Sequence, residues 1–132
     1  MATSDADAAS RTDGSGPSPR AAGQLTQVTR AIVAIYKDQF GRGPNHARSH
    51  YAGPDSIVCY LEETLTPVER SLVTLGELHR LQDLRQLFQY AAEDAFRSAV
   101  EEITGRTVVS FMSGNDVTND VASEIFIFAP LG

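Results

Sequence analysis

The chain has 132 residues, 42% of them hydrophobic, which suffices for one domain with a real core. Its formal charge of −6 argues against nucleic-acid binding, which needs a basic patch, and against docking on an anionic membrane by charge alone. One cysteine, Cys59, rules out an intramolecular disulfide and fits a reducing cytoplasm, and neither a membrane-span-length apolar run nor a signal-peptide pattern is present.

Residues 1–22 are mostly Ala, Ser, Gly, Pro and Asp, with no large apolar residue after Met1. Such a segment cannot bury enough surface to offset its ordering entropy, so a disordered tail is expected, followed by a single domain over 23–132. From Gln24 to Phe40, Leu25, Val28, Ile32, Ile35, Tyr36 and Phe40 recur at spacings of three and four, one stripe of a helix. Gly41, Gly43 and Pro44 then give the stop signal. Residues 45–52 and 56–62 read as strands around the turn Gly53-Pro54-Asp55.

In "TLTPVERSL", Thr66 is placed as an N-cap, Pro67 at the first helical position and Glu69 three residues after the cap, a capping box. Gly76 is a point for the helix to bend or break. Glu77 to Thr104 contains no Pro or Gly and carries a broad apolar stripe: Leu81, Leu84, Phe88, Ala91, Ala92, Ala95, Phe96, Ala99, Val100 and Ile103. Gly105 ends it. Two more strands, 107–113 and 122–128, flank the polar turn "GNDVTND".

The expected fold is α+β, in the order α-β-β-α-β-β, the second helical region long and open to a break, with a four-stranded antiparallel sheet and helices on one face. An unbroken helix from Glu77 to Thr104 would be about 42 Å long, against a domain radius of gyration of about 13 Å. Its end would have to project or lie on a second copy, and the small residues Ala91, Ala92, Ala95 and Ala99 would let another helix approach closely. A homodimer is therefore expected; the alternative is two shorter helices folded on the sheet. In the last two strands, Val108, Ser110 and Met112 alternate with Val109 and Phe111, and Ile125 and Ile127 with Phe126 and Phe128. Both sheet faces are apolar, so the face without helices needs cover.

Candidate sites are sparse. "GRGP" sits at the C-terminal, negative end of its helix and lacks a P-loop lysine, so it reads as a helix stop, not a phosphate cradle. Arg42 and Arg48 remain candidates for an anionic partner or ligand. His46 and His50 share a face of a strand but stand about 13 Å apart, too far for one metal ion; no metal and no cofactor is expected. Cys59, mid-strand and apolar, reads as a buried small hydrophobe. The Asn and Asp of residues 114–120 suit a hairpin turn better than a cation site.

"FGRGPNHAR", "LEETLTPVERSL" and "AVEEITGRTVVSFMSGNDVTNDVASEIFIF", in that order, resemble the MpsC-like family over roughly residues 24–129. The motif positions are Gly41, Arg42, Gly43, Pro44, Leu65, Thr66, Glu69, Thr104 and Gly105. Most serve as caps and turns, and Arg42 has the least structural explanation. The resemblance implies a small bacterial protein, a cytoplasmic accessory to membrane subunits that move Na⁺, reaching the membrane only through those partners. It supplies no catalytic residues. The leading expectation is a non-enzymatic, dimeric interaction module; the alternative is a small-molecule or anion sensor with its ligand between the sheet and the first helix, near Arg42 and Arg48.

Overall fold

The computed structural model describes residues 16–131. Four helices and four strands follow one another as α1 (Pro19–Phe40), β1 (His46–Tyr51), β2 (Ser56–Glu62), α2 (Pro67–Thr74), α3 (Leu78–Ala91), α4 (Glu93–Thr104), β3 (Val108–Asp116) and β4 (Val121–Phe128). The strands form one antiparallel sheet in the order β1-β2-β4-β3, two hairpins joined through β2 and β4. The α+β reading and its antiparallel sheet hold.

Helix α1 starts at Pro19, five residues before the expected Gln24, because Ser18 caps it by accepting from the Ala21 N–H (3.1 Å) and Pro19 suits the first turn. The expected tail otherwise falls on residues 1–15, outside the described residues. Leu25, Val28, Ile32 and Tyr36 form the buried stripe of α1. They pack on Ile57, Cys59 and Leu61 of β2, Ala122, Phe126 and Phe128 of β4, and Phe96 and Val100 of α4. Gly41 ends α1 in the left-handed conformation (φ 85°), its N–H returned to Lys37 O.

The unbroken helix from Glu77 to Thr104 does not form, and the alternative of two shorter helices holds. The long helix is broken at Ala92 (φ −94°, ψ 7°), whose N–H is shared between Phe88 O and Gln89 O. Neither Gly nor Pro marks the break. Ala92 is small enough to be buried there, and Glu93 and Asp94 favour the new N-terminus electrostatically. The chain stops again near Gly76 (φ 80°), where a break was expected. The result is two shorter helices in succession along β3, with Gln82 bonded to Asn115 O and Arg97 to Val108 O, and the length argument, which needs an unbroken helix, lapses. The broad apolar stripe likewise divides in two. Leu81, Arg85, Gln89, Ala92, Phe96 and Val100 face inward, whereas Leu84, Phe88, Ala91 and Ala95 are exposed.

In β3 a bulge at Val109 shifts the register, pairing Val108 with Phe128 and Ser110 with Ile127. Val108 and Phe111 therefore both point into the core, which strict alternation would forbid. The other sheet face carries Val58, Tyr60, Met112, Ile125 and Ile127, all half-buried or exposed. The capping box of α2 is complete: Thr66 Oγ1 accepts from Glu69 N (3.2 Å) and Glu69 Oε1 from Thr66 N (2.8 Å). Thr66→Ala is expected to cost about 1 kcal/mol, read from urea unfolding midpoints.

Candidate functional site

The motif residues far apart in sequence meet at the segment entering α2. Arg42 Nη1 donates to Leu65 O (2.7 Å) and Nη2 to Asn45 Oδ1 (3.2 Å), tying the end of α1 to that segment. Gly43 sits close to α1: a Cβ there would meet Val33 Cγ1 at 3.4 Å. Asp120, held at φ 55° as the last residue of the β3–β4 turn, accepts from Thr64 N (2.8 Å) and Leu65 N (3.2 Å). Arg70 lies 3.5 Å from the same carboxylate.

Beneath this segment lies Arg85, completely buried. Its Nε and Nη2 form a fork onto Glu69 Oε2 (2.7 Å) and Oε1 (2.6 Å), and Nη2 also donates to Thr64 O (3.0 Å). The guanidinium carbon stands 3.8 Å from the centroid of the Phe40 ring. Burial alone would raise the Glu69 carboxyl; the hydrogen bonds from Arg85 and the Thr66 backbone outweigh it and hold the group below its ordinary value. Motif residue Glu69 thus serves a cap and a buried ion pair together.

A second polar cluster crosses the core beside Arg85. Glu124, on the inward face of β4, accepts from the Tyr36 hydroxyl and from Gln89 Nε2 (3.0 Å). Gln89 Nε2 also reaches Tyr36 Oη (2.9 Å), and its carbonyl accepts from Asn115. Burial pushes the Glu124 carboxyl up to about 7, and burial with the nearby Glu124 charge pushes the Tyr36 phenol well above its usual range. Glu124 Oε1 and the hydroxyl of its cross-strand neighbour Ser113 are buried without a hydrogen-bond partner among the described residues.

The remaining candidates lie apart. Thr104 and Gly105 close α4: Gly105 is left-handed (φ 70°), and Thr104 Oγ1 donates to Val100 O (2.7 Å). Glu101 Oε2 accepts from Val108 N (2.8 Å), which accounts physically for the spacing Glu101, Thr104-Gly105, Val108. Arg48 is on β1, outward, 3.9 Å from Glu62 and stacked near the Tyr60 ring (5.4 Å). It lines an open groove between α1 and β1 that Arg42 does not reach. His46 and His50 are exposed on β1, and no group of three or more His, Cys, Asp or Glu among the described residues could hold a metal ion. Cys59 is buried and its thiol is raised to about 11 by burial, so it is not poised as a nucleophile. Asp116 and Asn119 form the local hydrogen bonds of a hairpin turn.

Sequence reading missed Arg85, Gln89, Glu124 and Asp120. The signals were there for three of them. Glu124 is the one carboxylate at inward parity between Ala122 and Phe126, and Arg85 and Gln89 continue the four-residue spacing from Leu81.

Among the described residues no helix is long and apolar enough to cross a membrane. No curated protein matches the chain, and no solved structure does. A family model does, over residues 23–130, nearly the whole chain and including both motif clusters just described. The chain belongs to the family described as Na⁺-translocating membrane potential-generating system (MpsC).

Proposed function

We propose that the chain is a non-enzymatic interaction module, a cytoplasmic accessory subunit that docks on the membrane components of a sodium-translocating, membrane-potential-generating complex. The observation that carries this reading is the open sheet face. Val58, Tyr60, Met112, Ile125 and Ile127 form an apolar centre, with Met112 44% and Tyr60 38% exposed, on the side away from the helix-covered core. An apolar sheet face on this scale favours a macromolecular partner. The family description names a membrane system, and with no spanning helix among the described residues, a membrane partner is the economical link between the two. The most perturbed titratable groups, Glu124 and Tyr36, bond to one another inside the core, which suits a structural role better than turnover. Two copies would meet through the exposed Leu84, Phe88, Ala91 and Ala95 of α3 and α4.

The test is recovery of the tagged chain from native membranes in mild detergent, with mass spectrometry of what accompanies it. Polytopic membrane subunits are expected among the specific partners. Met112→Glu, at an exposed position, should change stability by no more than about 0.5 kcal/mol yet reduce partner recovery at least about tenfold. Recovery of the chain alone from detergent, or undiminished recovery with Met112→Glu, would count against this surface and this role.

A further inference from the structure

The two edges of the sheet are treated differently. At β3, helix side chains reach the outer backbone of the strand. Gln86 Nε2 donates to Ser113 O (2.8 Å), Gln82 Nε2 to Asn115 O (3.0 Å) and Arg97 Nη2 to Val108 O (2.8 Å). The Tyr90 hydroxyl accepts from Ser113 N (3.0 Å). These bonds occupy the groups that a further strand would need.

The β1 edge is open. The Ala52 N–H bonds to Ser56 O (2.9 Å), and alternation along the antiparallel ladder directs the N–H and C=O of residues 48 and 50 to β2 as well. The N–H and C=O groups of Ala47, Ser49 and Tyr51 therefore point away from the sheet. Among the described residues no side chain hydrogen-bonds to them. Alongside runs a groove of about 490 Å³ between α1 and β1, lined by Leu25, Thr26 and Arg30 from the helix and Arg48, Ser49 and His50 from the strand.

We infer that this edge receives an extended, acidic peptide segment of another protein, which adds as a fifth strand beside β1. The backbone of Ala47, Ser49 and Tyr51 supplies the hydrogen bonds. One set of its alternating side chains faces the groove, where Leu25 and Ala47 favour apolar residues. The other set runs beside Arg48 and His50, and Arg30 flanks the helix side. Charge selects the occupant. The chain is acidic overall at −6, yet this rim carries the exposed Arg30 and Arg48, the latter only loosely paired with Glu62 at 3.9 Å. A second copy pairing antiparallel about Ser49 would set Arg48 beside His50 of its neighbour and bring it no opposite charge, whereas an acidic strand meets Arg48 favourably.

The experiment is an amide NMR titration of the full ¹⁵N-labelled chain at low salt with a blocked peptide alternating Val and Glu. The same peptide with Lys for Glu, and one with a central Pro, serve as controls. The acidic peptide is expected to shift the amides of Ala47, Ser49 and Tyr51 and to weaken as salt is added. The Lys and Pro peptides should bind at least tenfold more weakly, as should the acidic peptide to an Arg30→Glu/Arg48→Glu variant. Both arginines are exposed, and an unchanged amide spectrum elsewhere in that variant shows that it is folded. Equal binding of acidic and basic peptides, no binding of either, or shifts centred on Val58 and Ile125 of the open face would overturn the assignment. So would a concentration-dependent dimer that perturbs the same three amides without peptide.

Discussion

Replacing Arg85 by Ala lowers unfolding free energy by about 3–5 kcal/mol, the range for breaking a buried ion pair from one side. The guanidinium is fully buried and makes three hydrogen bonds, two to Glu69 and one to Thr64 O. Its removal strands the Glu69 carboxylate, which keeps only the Thr66 N–H, and leaves Thr64 O without its partner. It also opens a cavity against Phe40. A buried pair is poor evidence of net stabilisation, because its desolvation cost is large. The discriminating comparison is therefore the double variant Arg85→Met/Glu69→Gln. It removes both charges, keeps a side chain against Phe40 and leaves an amide oxygen for the Thr66 cap. It should be clearly more stable than Arg85→Ala, and the four-way cycle with the single variants should show a coupling of at least about 1 kcal/mol. A loss below about 1 kcal/mol for Arg85→Ala in urea unfolding would mean that α2, α3 and the end of α1 are held by their apolar contacts alone.

That ion pair also explains what could be read in advance. The Thr66–Glu69 box was legible because a cap is local: its donors and acceptors lie within three residues. The same locality made Gly41 and Gly105 readable as helix stops and Asp116–Asn119 as a turn. The second role of Glu69, as the acceptor of a buried arginine sixteen residues away, depends on how α3 folds back over α2. Arg42 was the motif residue with least structural explanation, and its partner, Leu65 O, is a backbone carbonyl twenty-three positions on. Nothing in residue type announces a carbonyl acceptor. The break at Ala92 was invisible for a different reason. Alanine is the best helix former, and tertiary packing, which brings Ala92 into the core and lays α4 against α1, overrode that propensity. The bulge at Val109 misled the face assignment of β3 by one residue, enough to reverse Val108.

Stability should fall as pH rises from about 4.5 to about 7, and Glu124 should account for much of the fall. The group is buried on β4, and burial raises its carboxyl from 4.5 to about 7. Within that window the folded chain keeps a proton that the unfolded chain releases, so the derivative of unfolding free energy with pH is negative. The contribution is complete below about 4.5 and lost above about 7. A shift of this size corresponds to something on the order of 3 kcal/mol. Burial favours the neutral form, and the surrounding donors Ser113, Tyr36 and Gln89 pull the other way without overcoming it. Oε2 already accepts from Tyr36 and Gln89, while Oε1 and the Ser113 hydroxyl are both unpartnered among the described residues. Protonation removes the cost of burying the charge, and the neutral carboxyl still accepts from Tyr36 and Gln89 through Oε2. Glu124→Gln mimics that state at every pH: its oxygen can still accept from Tyr36, and its amide can donate toward Ser113. Other groups titrate too, so the quantity to measure is the difference in urea unfolding free energy between the two chains. It should be near zero at pH 4.5 and grow to roughly 3 kcal/mol in favour of Glu124→Gln by pH 8. A flat difference would mean that the carboxyl is ionised in the fold throughout, with its charge balanced across the Tyr36–Gln89 network.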